Sequence, residues 1–133
     1  MTATAMIDRN ALTETLIHAD LTQGNVLRAP GGEITVLDFA VANRFPRVQE
    51  LAVVAANLTH HRPESLPERV EIIADLYSAL ACVPLSAIER HALRAFAHAA
   101  AAMELLGALR EWQGGNHDDE TASLIALGLA GLR

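Results

Sequence analysis

The sequence predicts a mainly α-helical domain carrying one small β-hairpin. Three observations lead there. From Pro46 onward, apolar residues recur at helical spacing in successive stretches. Ahead of them, two short β-prone runs, Val26-Leu27-Arg28 and Glu33-Ile34-Thr35-Val36-Leu37-Asp38, flank the turn sequence Ala29-Pro30-Gly31-Gly32. Finally, 51% apolar against 20% charged residues over 133 positions fits one packed unit covering residues 1–133, not a disordered chain.

Taken in order, residues 1–16 read as a lead-in whose Arg9 to Leu16 segment forms one or two turns of helix, too short to stand alone. Residues 17–25 break the pattern with polar groups and a glycine, and 26–38 form the hairpin. A helical bundle fills 46–132. Pro46 opens a helix of about sixteen residues that Pro63 ends. Ser65 or Leu66 starts the next, with Val70, Ile73, Ala74, Tyr77, Leu80 and Ala81 on one face. Ser86 caps a long helix, with Glu89 completing a capping box. Its inward stripe is Leu93, Phe96, Ala97, Ala100 and Met103, and Gly114-Gly115 stops it. Asp118 or Asp119 caps a last helix ending near Leu132.

Composition narrows the function. A formal charge of −6 opposes generic nucleic-acid binding, which needs a basic surface. All ten basic residues are arginine, so chemistry that needs a lysine must take it from another segment. No apolar run approaches the ~20 residues of a membrane span, and residues 1–16 lack the cationic start of an export signal. Cys82 is the single cysteine, which excludes an internal disulfide. The expectation is a cytoplasmic protein with neither nucleic acid nor membrane as partner.

The polar residues that break the helical pattern cluster. Asp20 follows His18, Asn25 follows five residues later, and Asp38 ends the second hairpin strand. The antiparallel arms bring Asn25 and Asp38 together. Two carboxylates and an amide around one point suit Mg²⁺, a hard cation that prefers oxygen ligands and keeps several waters. Singly, each residue reads as a loop or turn cap. His60, His61, His91 and His98 read as surface or packing residues, since zinc needs three or four converging ligands. Cys82 reads as a small core residue, Tyr77 and Trp112 as packing aromatics, and Asp118-Asp119-Glu120 as a solvated helix start.

The string LIHADLTQGNVL followed by ITVLDFA resembles the His-x-Asp-x-x-x-x-Asn loop and Asp-Phe strand end of the aminoglycoside phosphotransferase and choline kinase family. FPRVQELAVVAANL resembles that family's Pro-x-x-Asp-Leu-Ala helix start, with Glu50 in place of aspartate. LYSALACVPLSAIERHALRAFAHAAAAMELLGALREW resembles the distal helices of its homoserine-kinase-like branch. The likeness spans about residues 16–112. It implies the C-lobe of a protein-kinase-like fold without the N-terminal ATP-binding lobe. It also implies transfer of the ATP γ-phosphoryl group to a hydroxyl of a small molecule. Asp20 would orient and help deprotonate the acceptor, Asn25 and Asp38 would hold Mg²⁺, and His18 and Glu50 would fix the loop. Arg44 and Arg47, close after Asp38, are candidate phosphate contacts. The partner would be an N-lobe on a separate or missing segment, or a second copy in a homodimer. The alternative is a non-catalytic binding or regulatory protein derived from the same lobe.

Overall fold

The computed structural model describes residues 8–131. A 3-10 turn, Arg9–Ala11, precedes strand β1, Glu14–Ile17. A second 3-10 turn, Gln23–Asn25, leads into β2, Val26–Arg28, and β3, Ile34–Val36. Next come β4, Asn43–Pro46, and helix α1, Arg47–Val53, which widens into a π-helical stretch, Val54–Leu58. Helices α2 (Leu66–Leu80), α3 (Ala87–Gln113) and α4 (Asp119–Gly131) complete a mainly helical chain.

Two small antiparallel sheets replace the single hairpin expected. β2 pairs with β3, Val26 opposite Val36, and Gly32 closes the turn at φ +95° with its N–H on the Ala29 carbonyl. β1 pairs with β4, Glu14 opposite Pro46 and Ile17 opposite Asn43. The lead-in helix over Arg9 to Leu16 is therefore corrected to one 3-10 turn and a strand. A short isolated helix gains little from its own hydrogen bonds, and here the backbone finds a partner strand instead. That sheet sets the entry to the bundle, because the Arg47 N–H continues it onto the Thr13 carbonyl at 2.9 Å.

The helix expected from Pro46 through His61 is α-helical only to Val53. Beyond it the Thr59 N–H reaches back to the Val54 carbonyl and its hydroxyl covers Val54 and Ala55, so the turn widens before Pro63. Capping boxes start α2, through Ser65 and Glu68, and α3, through Ser86 and Glu89. Asp118 accepts the Thr121 N–H at the start of α4, and Gly114 ends α3.

The core joins Leu12, Val48, Leu51, Ala52, Val70, Leu93 and, from α3, Ala92, Ala97 and Ala101. Along α3 the buried line runs through Leu93, Ala97, Ala101, Leu105 and Ala108. Met103 falls off that line and is 68% exposed, and Leu80, past the last packed turn of α2, is 85% exposed, so neither faces inward as the sequence spacing suggested. Cys82 is exposed as well, not a core residue. At Gly128, α4 comes so close to α3 that a Cβ would lie 2.6 Å from that of Leu105. Helix α3 also departs from the expectation that no apolar run approaches membrane length. Within α3 an 18-residue window reaches mean hydropathy 1.3, enough by length and composition alone, although that helix supplies the core line just described.

Beneath β4 lies a buried ion pair. Arg47 donates from Nε and Nη2 to the two carboxylate oxygens of Glu89 at 2.8 and 2.7 Å. Its remaining N–H groups cover the carbonyls of Val83 and Pro84. Glu89 in turn accepts the N–H groups of Thr13 and Ser86. The Arg47 guanidinium, with help from these amides, holds the Glu89 carboxyl down at about 2 against an ordinary 4.5. Arg47 is thus corrected from a phosphate contact to an internal clamp joining α1, α3 and the Val83-Pro84 turn.

Candidate active site

The loop between β1 and β2 is built around His18, which is buried. Its Nδ1 accepts the Asp20 N–H at 3.2 Å while Nε2 donates to the Leu37 carbonyl at 2.7 Å. Those two partners fix the neutral Nε2–H tautomer. Phe39 stands edge-on to the ring at 4.6 Å. One imidazole therefore ties the loop to the return strand of the hairpin.

Ala19 turns the chain at φ +69°, a left-handed conformation that costs a residue with a Cβ roughly 1–2 kcal/mol. What holds it there is Glu50 in the first turn of α1, whose Oε2 accepts the Ala19 N–H at 2.8 Å. The other oxygen of Glu50 is buried without a hydrogen-bond partner. Asp20 then faces Asn25, whose Nδ2 donates to both the Asp20 carbonyl and its Oδ2 at 2.9 Å. The Asn25 carbonyl accepts the Leu37 N–H at 2.9 Å, which sets the hairpin base. Asp38 follows Leu37 at φ +57°, with Oδ1 accepting the Ala40 N–H. The fold thus joins Asp20 to Asn25 directly and brings Asp38 to the same hairpin end through Leu37. Arg44 is exposed on β4, opposite Leu16.

A cleft of about 330 Å³ opens beside Asp20, lined by Gln49 and Val53 of α1, Asn57 of the π-helical stretch, and Met103 and Glu104 of α3. A neighbouring cavity of about 240 Å³ holds His60, Arg62 and Arg69, and Asn57 and Glu104 line both. Burial pushes the Glu104 carboxyl up, His60 works against that, and the Asp20 charge reinforces it. Glu104 is not among the site residues expected from the sequence. Its signal was a lone carboxylate in the otherwise apolar run Ala99 to Gly107. Among the described residues, no group of three or more His, Cys, Asp or Glu side chains is placed to share a metal, so any cation at the hairpin base must rely on Asn25 as well.

A family model described as the phosphotransferase enzyme family matches residues 2–94. No curated protein and no solved structure matches the chain.

Proposed function

As the chain belongs to the phosphotransferase enzyme family, we propose that it forms the C-terminal, catalytic-loop lobe of a kinase acting on a small alcohol. The observation that carries this reading is the linked set His18, Asp20, Asn25 and Leu37, which puts a carboxylate, an amide and the Asp38 strand end at one edge of the fold. Members of the family use ATP and Mg²⁺.

The residues fit such a cation. Because the Asn25 nitrogen is turned onto Asp20, its Oδ1 is the end left for a metal. Asp38 adds carboxylate oxygens, and hard oxygen donors are what Mg²⁺ takes. When bound, the ion would neutralise charge on the phosphates. Asp20 accepts the proton of the acceptor hydroxyl as its oxygen bonds to the γ-phosphorus. The bond from that phosphorus to the β-bridging oxygen breaks, and ADP leaves. Holding Asp20 is the work of His18 and Asn25, and Glu50 keeps the backbone turn that presents it.

The chain contains no lysine, so an N-lobe, on another segment or another polypeptide, supplies the cation for the α- and β-phosphates. The exposed apolar residues Leu16, Leu27, Ile34, Leu37, Phe39 and Val41 surround the loop and hairpin and suit a covered surface. That patch also favours the second reading, a stand-alone binding protein whose homodimer buries the same edge.

Mn²⁺, a paramagnetic substitute for Mg²⁺, tests the metal assignment. Amide signals of Asn25, Leu37 and Asp38 should broaden in the full chain and recover in D38A and N25A; broadening centred on Asp118–Glu120 instead would refute it. Light scattering over a concentration series separates the two readings. A dimer protected at the hairpin excludes an N-lobe there, whereas a chain that gains ATP-dependent transfer only on adding an N-lobe supports the kinase.

A further inference from the structure

Asp20 sits in a loop that is moored to the helical body at two points. At one, Glu50 of α1 accepts the Ala19 N–H. At the other, the side chain of Gln23 reaches the end of the π-helical stretch, where Nε2 stands 3.3 Å from the Leu58 carbonyl and 2.7 Å from Nδ1 of His61. Among the described residues, no other side chain between 20 and 25 hydrogen-bonds the helical body. The backbone of Gln23 belongs to the 3-10 turn that ends in Asn25, whose N–H donates to the Thr22 carbonyl at 3.1 Å. Whatever holds Gln23 therefore also holds the residue that faces Asp20.

The two partners fix the chemistry of the amide. A carbonyl oxygen only accepts, so Gln23 must offer Leu58 an N–H, and the same nitrogen has one more to give. His61 takes it, which requires a bare Nδ1 and puts the ring proton on Nε2. An imidazolium, by contrast, donates from both nitrogens. Protonated His61 would aim an N–H at an N–H. The amide can meet it only by turning Oε1 toward the ring, and that takes its N–H off Leu58. Charged groups stand on every element the contact joins: His60, Arg62 and Glu64 around His61, Asp20 on the loop, and Glu104 of α3, which shares a cavity with His60. Among the described residues, none of these acids pairs with His61, so no carboxylate takes up the imidazolium in place of the amide.

We infer that Gln23 is a positioning residue of the catalytic loop and that His61 is its latch: the neutral imidazole holds the loop on the π-helical stretch, and the imidazolium releases it. What release does to Asp20 in transfer rests on the phosphotransferase reading; the latch itself does not.

Amide exchange of the full chain, without nucleotide, tests it. Protection of the Asn25 amide, taken relative to intrinsic exchange, should fall roughly 2- to 10-fold, the loss of one neutral hydrogen bond, between about pH 8 and pH 5, where histidines change charge. The ring nitrogens of His61 should show the Nε2–H tautomer at the upper end. Both side chains are exposed, so their variants should fold. H61A should flatten the response. Q23E should reverse it, because a carboxylate cannot donate to Leu58 but does accept from an imidazolium; a residue that merely fills space would not change the sign. A fall of equal size in H61A would assign the response to His18 or His60 and overturn the inference. So would an Nδ1–H tautomer, or protection in Q23E that drops with pH as in the parent. A latch that works in a chain never transferring phosphate counts against the kinase alone, whereas transfer by a chain whose loop ignores H61A counts against the latch alone.

Discussion

Glu89 and Glu104 ride on the same helix and occupy opposite circumstances. Glu89 is 2% exposed, and each of its oxygens takes one arginine N–H and one backbone N–H, so its carboxyl titrates near 2. Glu104 lines two cavities with one buried oxygen unsatisfied, and burial drives its carboxyl the other way. The difference separates two uses of buried charge. Where the fold depends on the carboxylate, a matching cation and amides complete it. Beside Asp20, one carboxylate oxygen is left without a partner.

The largest effect that can break this comparison is loss of the clamp. Removing one partner of a buried pair strands the other, at about 3–5 kcal/mol. R47M and E89L should each lower the urea midpoint accordingly, and the double variant should fall by less than the sum of the two, because two apolar side chains strand no charge but still leave the Thr13 and Ser86 amides and the Val83 and Pro84 carbonyls without these partners. A cost below about 1 kcal/mol for either single change, the range of surface pairs, would show that the pair is not structural. The pH dependence follows. A depressed carboxyl contributes stability that is complete above its ordinary 4.5 and is lost as pH falls through about 2. Denaturation midpoints should drop over that window, and E89Q should flatten the drop.

Next in size is Glu50. In E50A the Ala19 N–H loses its acceptor, costing about 1–3 kcal/mol, and the loop that presents Asp20 loosens. E50Q keeps an acceptor oxygen and loses the charge on the unpartnered one, so it should fall between E50A and the parent in thermal unfolding. Equal losses in both would mean that charge, not the hydrogen bond, is what the site needs.

These contrasts mark what the sequence made legible. The hairpin, both capping boxes and the stop at Gly114 rest on neighbours a few residues apart, so local chemistry announces them. The pairing of β1 with β4 does not, because it joins Glu14–Ile17 to Asn43–Pro46 across the whole loop and hairpin with no local marker in either. That Asn25 meets Leu37 and Asp38 at the hairpin base follows from the antiparallel arms, which the sequence did announce. Arg47 was misread, since nearness to Asp38 in the chain says nothing of a side chain that turns down into the bundle. Glu104 could have been found, because a carboxylate amid alanines and leucines has to be explained.

A smaller effect concerns Glu104 itself. A carboxyl whose titration is raised gives its stability in the protonated form, present below the ordinary 4.5 and lost as pH rises. At neutral pH the buried carboxyl burdens the fold, so E104Q should melt above the parent, while E89Q melts below it. Opposite signs from the same substitution on one helix state the comparison in measurable form, and melting E104Q below the parent at pH 7 would break it.

The smallest expected change is at Ala19. Its left-handed φ of +69° costs roughly 1–2 kcal/mol with a Cβ, and glycine would remove that strain. Glycine also frees the unfolded chain, which takes back about 0.5–1 kcal/mol. A19G should therefore gain between about 0 and 1.5 kcal/mol, the difference of those two terms. Because Glu50 does the holding, the gain should be additive in R47M, whose side chain bonds Glu89, Tyr77 and the Val83-Pro84 turn and not the loop, and altered in E50A, where the strained turn has already lost its anchor. A double-mutant cycle by urea unfolding reads both. Full additivity of A19G with E50A would mean that the Ala19 turn and the glutamate act independently, and the picture of a loop strained by its own backbone and held by one carboxylate would have to be given up.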